Sequence, residues 1–153
     1  MCVSFFINWW WYERNIYEWG NKTSKKAYKI DEVPIGTVIV KDNKIISKAY
    51  NKKEKTKLVT QHAEIIAIEK ACKKLKTWHL DDCELYTTLE PCLMCSGAIM
   101  QSRIKKIYCS IKNDNNDFQK IIKENNYKAN IEYGLYKKES LDLIQSFFDK
   151  KRK

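Results

Sequence analysis

Two short pieces of this sequence carry its chemistry: His62-Ala63-Glu64, and the pair Cys92 and Cys95 directly after Pro91. A catalytic zinc takes three protein ligands and keeps one position for water. His62, Cys92 and Cys95 supply that number and that mix of nitrogen and sulfur. The two-residue gap lets both thiolates reach one ion from a single helical turn, and a helix N-terminus favours the thiolate form. A single C-x-x-C is by itself ambiguous between structural zinc, a redox pair and coincidence. Here only one other histidine exists, His79, so a closed four-ligand site lacks an obvious fourth member. Glu64 stands two residues from His62, too close along the helix to share the ion readily but able to face the water position. Hydrolysis at an amidine carbon needs protons delivered to a ring nitrogen and to departing ammonia, and one mobile carboxylate serves both. The competing reading of Glu64 is a first-turn acid favoured by the helix dipole.

Secondary structure must bring these pieces together. VPIGTVIV (33–40) and KIISKAY (44–50) flank an Asp42-Asn43 turn and predict a hairpin. In HAEIIAIEKACKKL (62–75), Ile65, Ile68 and Cys72 recur at helical spacing. CELYTTL (83–89) reads as a third strand. Pro91 then suits the position before or at the first residue of a helix over 92–103, and KKIYCSI (105–111) reads as a fourth strand. A helix over 15–30 is weakened by Gly20 and Asn21. A lysine-rich loop over 51–60, an Asn/Asp loop over 113–117, a short helix, a strand near 129–136 and a terminal helix over 138–150 fill the remainder. Strands alternating with helices predict an α/β architecture with one sheet covered on both faces. Residues 1–14, with three successive tryptophans and no clear period, stand apart as an aromatic extension of unassigned role; 15–153 form the one domain.

Composition bounds the class. The 153 residues, 44% hydrophobic and 31% charged, describe an ordinary globular protein with room for a core. Lys and Arg number 29 against 19 Asp and Glu, a net charge of +10 that favours a polyanion such as RNA or DNA. Lysine-biased composition is the competing explanation, since only Arg14, Arg103 and Arg152 are arginine. The six cysteines include one close pair, and the others sit in apolar stretches, which predicts reduced thiols and a reducing compartment. MCVSFFINWWWY is too short to span a bilayer and lacks the basic start of a signal peptide, so no membrane partner is expected and the cytoplasm is the default.

The H-x-E and P-C-x-x-C pieces are the general signature of zinc deaminases acting on nucleobases. VPIGTVIVKDNKII, HAEIIAI, LYTTLEPCLMCSGAIMQSRIKKIYCS and the terminal SFFDKKRK go further. They resemble the bacterial tRNA-specific adenosine deaminases, closely over 30–111 and loosely over 129–153. That resemblance implies a three-layer α/β/α, cytidine-deaminase-like fold with a five-stranded mixed sheet. It implies Zn2+ as cofactor, a homodimer, and conversion of adenosine to inosine at the wobble position of a tRNA anticodon stem-loop. It also implies roles for particular residues. Asn51 would contact the base, the Ala63 N–H and Glu90 carbonyl would meet water and leaving amine, and Ile35 and Leu89 would wall the pocket. Asn113 would lie beside the sugar-phosphate path, and Phe148 and Arg152 would meet the anticodon loop by stacking and phosphate pairing. Each has a plainer alternative: a turn for Asn51 and Asn113, core strand positions for Ile35 and Leu89, a docked helix for the tail.

Three positions depart from the family pattern: Gln61 where a small residue is usual, Asn113 where Asp is common, and Asp149 where a basic residue is common. A neutral Asn113 predicts weaker discrimination of RNA from DNA, unless it only closes a turn. Two rival functions share the zinc core. A free nucleobase or nucleotide deaminase acting on guanine, cytosine or deoxycytidylate has little use for a charge of +10. A catalytically silent zinc module that binds RNA or a partner would be expected to lose Glu64.

Overall fold

The computed structural model describes residues 3–115 and 117–153, with side chains from residue 14 onward. Along the chain come α1 (Val3–Lys29), β1 (Gly36–Lys41), β2 (Lys44–Tyr50), α2 (Lys53–Thr56), α3 (Ala63–Leu75) and β3 (Cys83–Leu89). Then follow α4 (Leu93–Gln101), β4 (Lys106–Ile111), α5 (Phe118–Glu124), β5 (Asn130–Tyr133) and α6 (Lys137–Arg152). The five strands form one sheet in the order β2-β1-β3-β4-β5. β1 is antiparallel to both β2 and β3, whereas β3, β4 and β5 run parallel, so the sheet is mixed as expected.

Strand direction decides where the chemistry gathers. Gly36 pairs with Tyr50, Thr37 with Thr87 and Leu89 with Ile111. The start of β1 and the ends of β2, β3 and β4 therefore share one edge of the sheet. In open α/β sheets, helices that follow parallel strands begin at that edge, and ligands bind there.

Both faces of the sheet are covered, which accounts for the nearly continuous burial along β1, β3 and β4. On one face Ile39, Leu85, Ile107 and Cys109 meet Ile66, Ala67 and Ala71 of α3, Ile99 of α4 and Phe118 of α5. On the other, Val38, Val40, Tyr86 and Tyr108 meet Ile16 and Tyr17 of α1. Tyr86 stacks on Tyr108 at 4.4 Å between ring centroids, and Tyr17 stands edge-on to Tyr86 at 5.1 Å. The three layers are those of the expected α/β/α fold.

Local detail fills in the expected elements and shifts some of their bounds. α1 runs through Gly20 and Asn21 without a break, as the helix expected over 15–30 does despite their weak local propensity. Thr23 and Ser24 bond their hydroxyls back to the carbonyls of Gly20 and Asn21 at 2.7 and 2.8 Å. The helix also begins at Val3, so the expected boundary at residue 14 falls within it; the side chains of Trp9–Trp11 lie outside the described residues. The 51–60 segment contains a turn of helix, α2, anchored where the Lys55 N–H donates to the Glu32 carboxylate. α4 starts at Leu93, with Cys92 as its N-cap and Pro91 one residue earlier. Among the described residues no helix is long and apolar enough to cross a membrane, and Cys72, Cys83, Cys92, Cys95 and Cys109 are all free thiols.

Gly36 sets how closely α1 lies against the sheet. A Cβ there would fall 2.2 Å from the Gly20 carbonyl oxygen and 2.3 Å from Thr23 Oγ1. Backbone cannot yield cheaply, so Gly36→Ala is expected to cost about 3 kcal/mol or more, at the upper end of overpacking effects. Thermal unfolding measures this; an unchanged midpoint would show that α1 shifts freely on the sheet.

Candidate active site

Two helix starts and a strand end converge at the shared edge. His62 is the N-cap of α3 and Cys92 the N-cap of α4, each with extended backbone that turns its side chain away from the helix body. Cys95 sits one turn into α4, fully buried. His62 Nδ1 lies 3.7 Å from Cys92 Sγ and 3.6 Å from Cys95 Sγ, and the three ligand atoms all lie within 4.8 Å of one another. Tetrahedral zinc, with about 2.0–2.1 Å to nitrogen and about 2.3 Å to sulfur, spans about 3.6 Å between an N and an S ligand. The donor set therefore fits zinc both in chemistry and in spacing.

Electrostatics point the same way. Cys92 is pushed down to about 3, first by the hydrogen bond from the Cys95 thiol and then by His62. Cys95 moves far up, because its thiol serves the Cys92 thiolate and is itself buried. Between them the two sulfurs hold one negative charge; a second at the same spot needs a cation. The hydrogen bond to Cys92 raises His62 as well. Glu64 is 2% exposed, and burial pushes its carboxyl upward. The Cys95 thiol lies 3.5 Å from Glu64 Oε2, so this carboxyl stands beside the metal-ligand group.

The other expected residues divide into two groups. Asn51 follows β2, and its N–H donates to the Ile35 carbonyl at 3.1 Å; the next N–H, of Lys52, reaches the carbonyl of Gln61 beside His62. Ala63 is the buried first residue of α3, where a backbone N–H has no partner within its own helix. Leu89 ends β3, and the Glu90 N–H donates to the Ile111 carbonyl at 2.9 Å. Ile35, Asn51, Ala63, Leu89, Glu90 and Asn113 thus share the edge that carries the ligand group. Asn113 Oδ1 accepts from the Asn115 N–H at 3.2 Å, so its side chain closes a turn. Phe148 and Arg152 lie on α6 instead. Phe148 is 44% exposed, and Arg152 reaches Asp149 at 4.0 Å in a solvent-exposed pair.

Two buried carboxylates have side-chain roles that sequence reasoning missed, Glu90 having been expected only for its backbone carbonyl. Glu32, fully buried, accepts from the Lys55 N–H and from Asn51 Nδ2 at 3.4 Å. That contact orients the Asn51 amide and leaves its buried Oδ1 without a protein partner. Glu90 accepts from the N–H groups of Asn113 and Phe118 at 3.3 and 2.8 Å, stapling the loop after β4 to the site. No local pattern marks either acid, since their partners are backbone groups or lie far along the chain.

Comparison with known proteins agrees with this arrangement. The family model of MafB19-like deaminases matches residues 13–152. The tRNA-specific adenosine deaminase of Aquifex aeolicus is 40% identical over 136 residues, covering 86% of this chain and 90% of that protein. A structure from studies of A-to-I editing by tRNA:A34 deaminases at the wobble position superposes with a TM-score of 0.80 at 31% identity. It covers 85% of this chain and 99% of that one. A guanine deaminase from Bacillus subtilis superposes with a TM-score of 0.61 at 33% identity, covering 75% of this chain and 70% of that one. Matches of this extent and identity, on this fold, settle the family: the chain belongs to the MafB19-like deaminases, among the tRNA-specific adenosine deaminases.

Proposed function

We propose that the protein is a zinc-dependent hydrolase that converts adenosine to inosine at the wobble position of a tRNA anticodon. The observation that carries this reading is the buried Glu64 carboxyl beside three side chains spaced as zinc ligands. His62, Cys92 and Cys95 would hold Zn2+, which when bound brings the acidity of water toward neutral pH. Glu64 takes a proton from the attacking water and gives it to N1 of adenine as the C6–O bond forms. It then carries the second proton to the amino group as the C6–N bond breaks, so that adenosine and water yield inosine and ammonia. A carboxyl pushed upward by burial suits this shuttle, because it holds a proton readily between transfers.

The pocket residues take supporting roles. Asn51 offers its unpartnered Oδ1 and one remaining N–H to the base, with the polarity of the amide fixed by Glu32. Ala63 N–H and the Glu90 carbonyl face water and the departing amine, Ile35 and Leu89 flank the base, and the loop at Asn113 borders the sugar-phosphate path. The turn closed by the Asn113 side chain favours a loop role for it over sugar discrimination. On α6, Phe148 stacks on the anticodon loop and Arg152 pairs with phosphate. Leu58, Val59 and Leu93, 55%, 66% and 68% exposed, stand near the ligands in sequence and supply an apolar collar that a second copy of the chain would cover. The enzyme works as a homodimer in the cytoplasm. A free-base deaminase is the weaker alternative: the Aquifex aeolicus relative matches over more of this chain than the guanine deaminase does.

Purified protein should contain about one zinc per chain. His62→Ala or Cys92→Ala should lose metal and activity together, whereas Glu64→Gln should keep the metal and lose turnover by several orders of magnitude. Metal analysis beside single-turnover rates separates these outcomes; full activity after verified metal removal would sink the mechanism. An anticodon stem-loop carrying A34 should yield inosine, and free guanine and cytosine should not react. Deamination of guanine but not of the stem-loop would reverse the assignment. Glu32→Gln and Asn51→Ala should each lower kcat/KM on the stem-loop, and the double variant should fall little further than Asn51→Ala alone. Additive losses would mean that Glu32 acts independently of the amide.

A further inference from the structure

Away from the pocket, the outer strand of the sheet carries an unexplained concentration of positive charge. β2 is hydrogen-bonded only to β1, so its far side is an open edge. Trp19 of α1 stands beside that edge, 38% exposed, with Lys48 Nζ 3.6 Å and Lys22 Nζ 5.0 Å from its ring centroid. Lys70 of α3 reaches across to donate its ammonium to the Lys48 carbonyl at 2.9 Å. Lys52, directly after Asn51, lies 5.0 Å from the centre of the Tyr50 ring. The Lys70 amine is held below its usual value, first by partial burial and then by the charges of Lys52 and Lys26. Five lysines, from α1, β2, α3 and the segment after β2, thus crowd together, and among the ion pairs of the described residues only Glu18, 3.2 Å from Lys22, answers any of them.

The geometry points to a nucleic-acid track along the β2 edge, built from Trp19, Lys22, Lys48, Lys52 and Lys70, that receives the RNA backbone leading into the pocket. Lys48 lies within β2, and Lys52 follows two residues after its end, directly beside Asn51. Mutually repelling lysines gain most from a polyanion, because each phosphate relieves repulsion between ammonium groups as well as pairing with one. Trp19 adds a flat, half-exposed face flanked by cations, a combination suited to an unpaired base or a ribose. Lysines on an edge strand have a second use, keeping other strands from pairing there. Edge protection, however, requires neither the tryptophan nor lysines contributed by α1 and α3. This inference rests on the RNA reading above and extends it from the pocket rim out along the β2 edge.

The test is the double variant Lys22→Glu/Lys48→Glu, beside Trp19→Ala, in full-length zinc-loaded protein. Glutamate keeps the edge charged, so edge protection survives while phosphate binding does not. Stem-loop affinity, measured by fluorescence anisotropy at several salt concentrations, should fall at least tenfold in the double variant. Its log–log salt slope should flatten by about two, one for each lost phosphate contact. Trp19→Ala should weaken binding several-fold without altering the slope. Turnover of saturating stem-loop and zinc content should stay as in the parent protein. Parental affinity and slope in the double variant would overturn the track. If the parent binds the stem-loop but does not deaminate it, the proposed function fails while the affinity comparison still decides the track.

Discussion

Two sulfurs and an imidazole nitrogen within ligand distance of one another, at the starts of two helices, form the constraint on which the rest of the structure depends. The two thiols share one negative charge, Cys92 low and Cys95 high, and a fully ionised pair would repel at that spacing. Helix N-termini lower the cost of the first charge. The second calls for a cation, and the N-to-S distances match a tetrahedral zinc edge. Holding α3 and α4 with their first turns together requires a sheet whose strands end at one edge. The antiparallel pairing of β1 with both its neighbours, beside parallel β3 and β4, provides that edge.

Three buried carboxylates surround this edge and divide the work. Glu64 lies with Oε2 3.5 Å from the Cys95 thiol, and burial pushes its carboxyl upward, which suits the proton transfers proposed for it. Glu32 and Glu90 have both oxygens occupied by N–H donors, which suits groups that must not move. One fixes α2 and the Asn51 amide; the other fixes the loop after β4. The same side chain thus stands beside the His62, Cys92 and Cys95 group at one position and clamps main chain at two others.

The convergence of His62, Cys92 and Cys95 into a group that could hold a metal was legible in the sequence because each piece is local. His62 and Glu64 share one helical turn, Cys92 and Cys95 share another, and both turns follow recognisable strand or loop signals. The turn role of Asn113 was legible for the same reason, since its partner is two residues away. The helix through Gly20 and Asn21 was legible despite their weak propensity, but its close seat on the sheet was not, since that depends on Gly36 in another element. The side-chain roles of Glu32 and Glu90 were invisible because these acids bind backbone N–H groups 23 and 28 residues away, which any amino acid except proline supplies. Local patterns reveal chemistry that needs particular side chains in sequence order. They conceal clamps whose partners are anonymous.

That anonymity affects how the loop after β4 can diverge. Glu90 holds it by two main-chain hydrogens, at Asn113 and Phe118, and among the described residues between those points no side chain is hydrogen-bonded to Glu90. Mutation can therefore rewrite the intervening residues without unseating the loop from the rim of the pocket. A segment gripped in this sequence-blind way can drift while its position is preserved, making it a natural place for one scaffold to diversify its choice of substrate while the reaction stays the same.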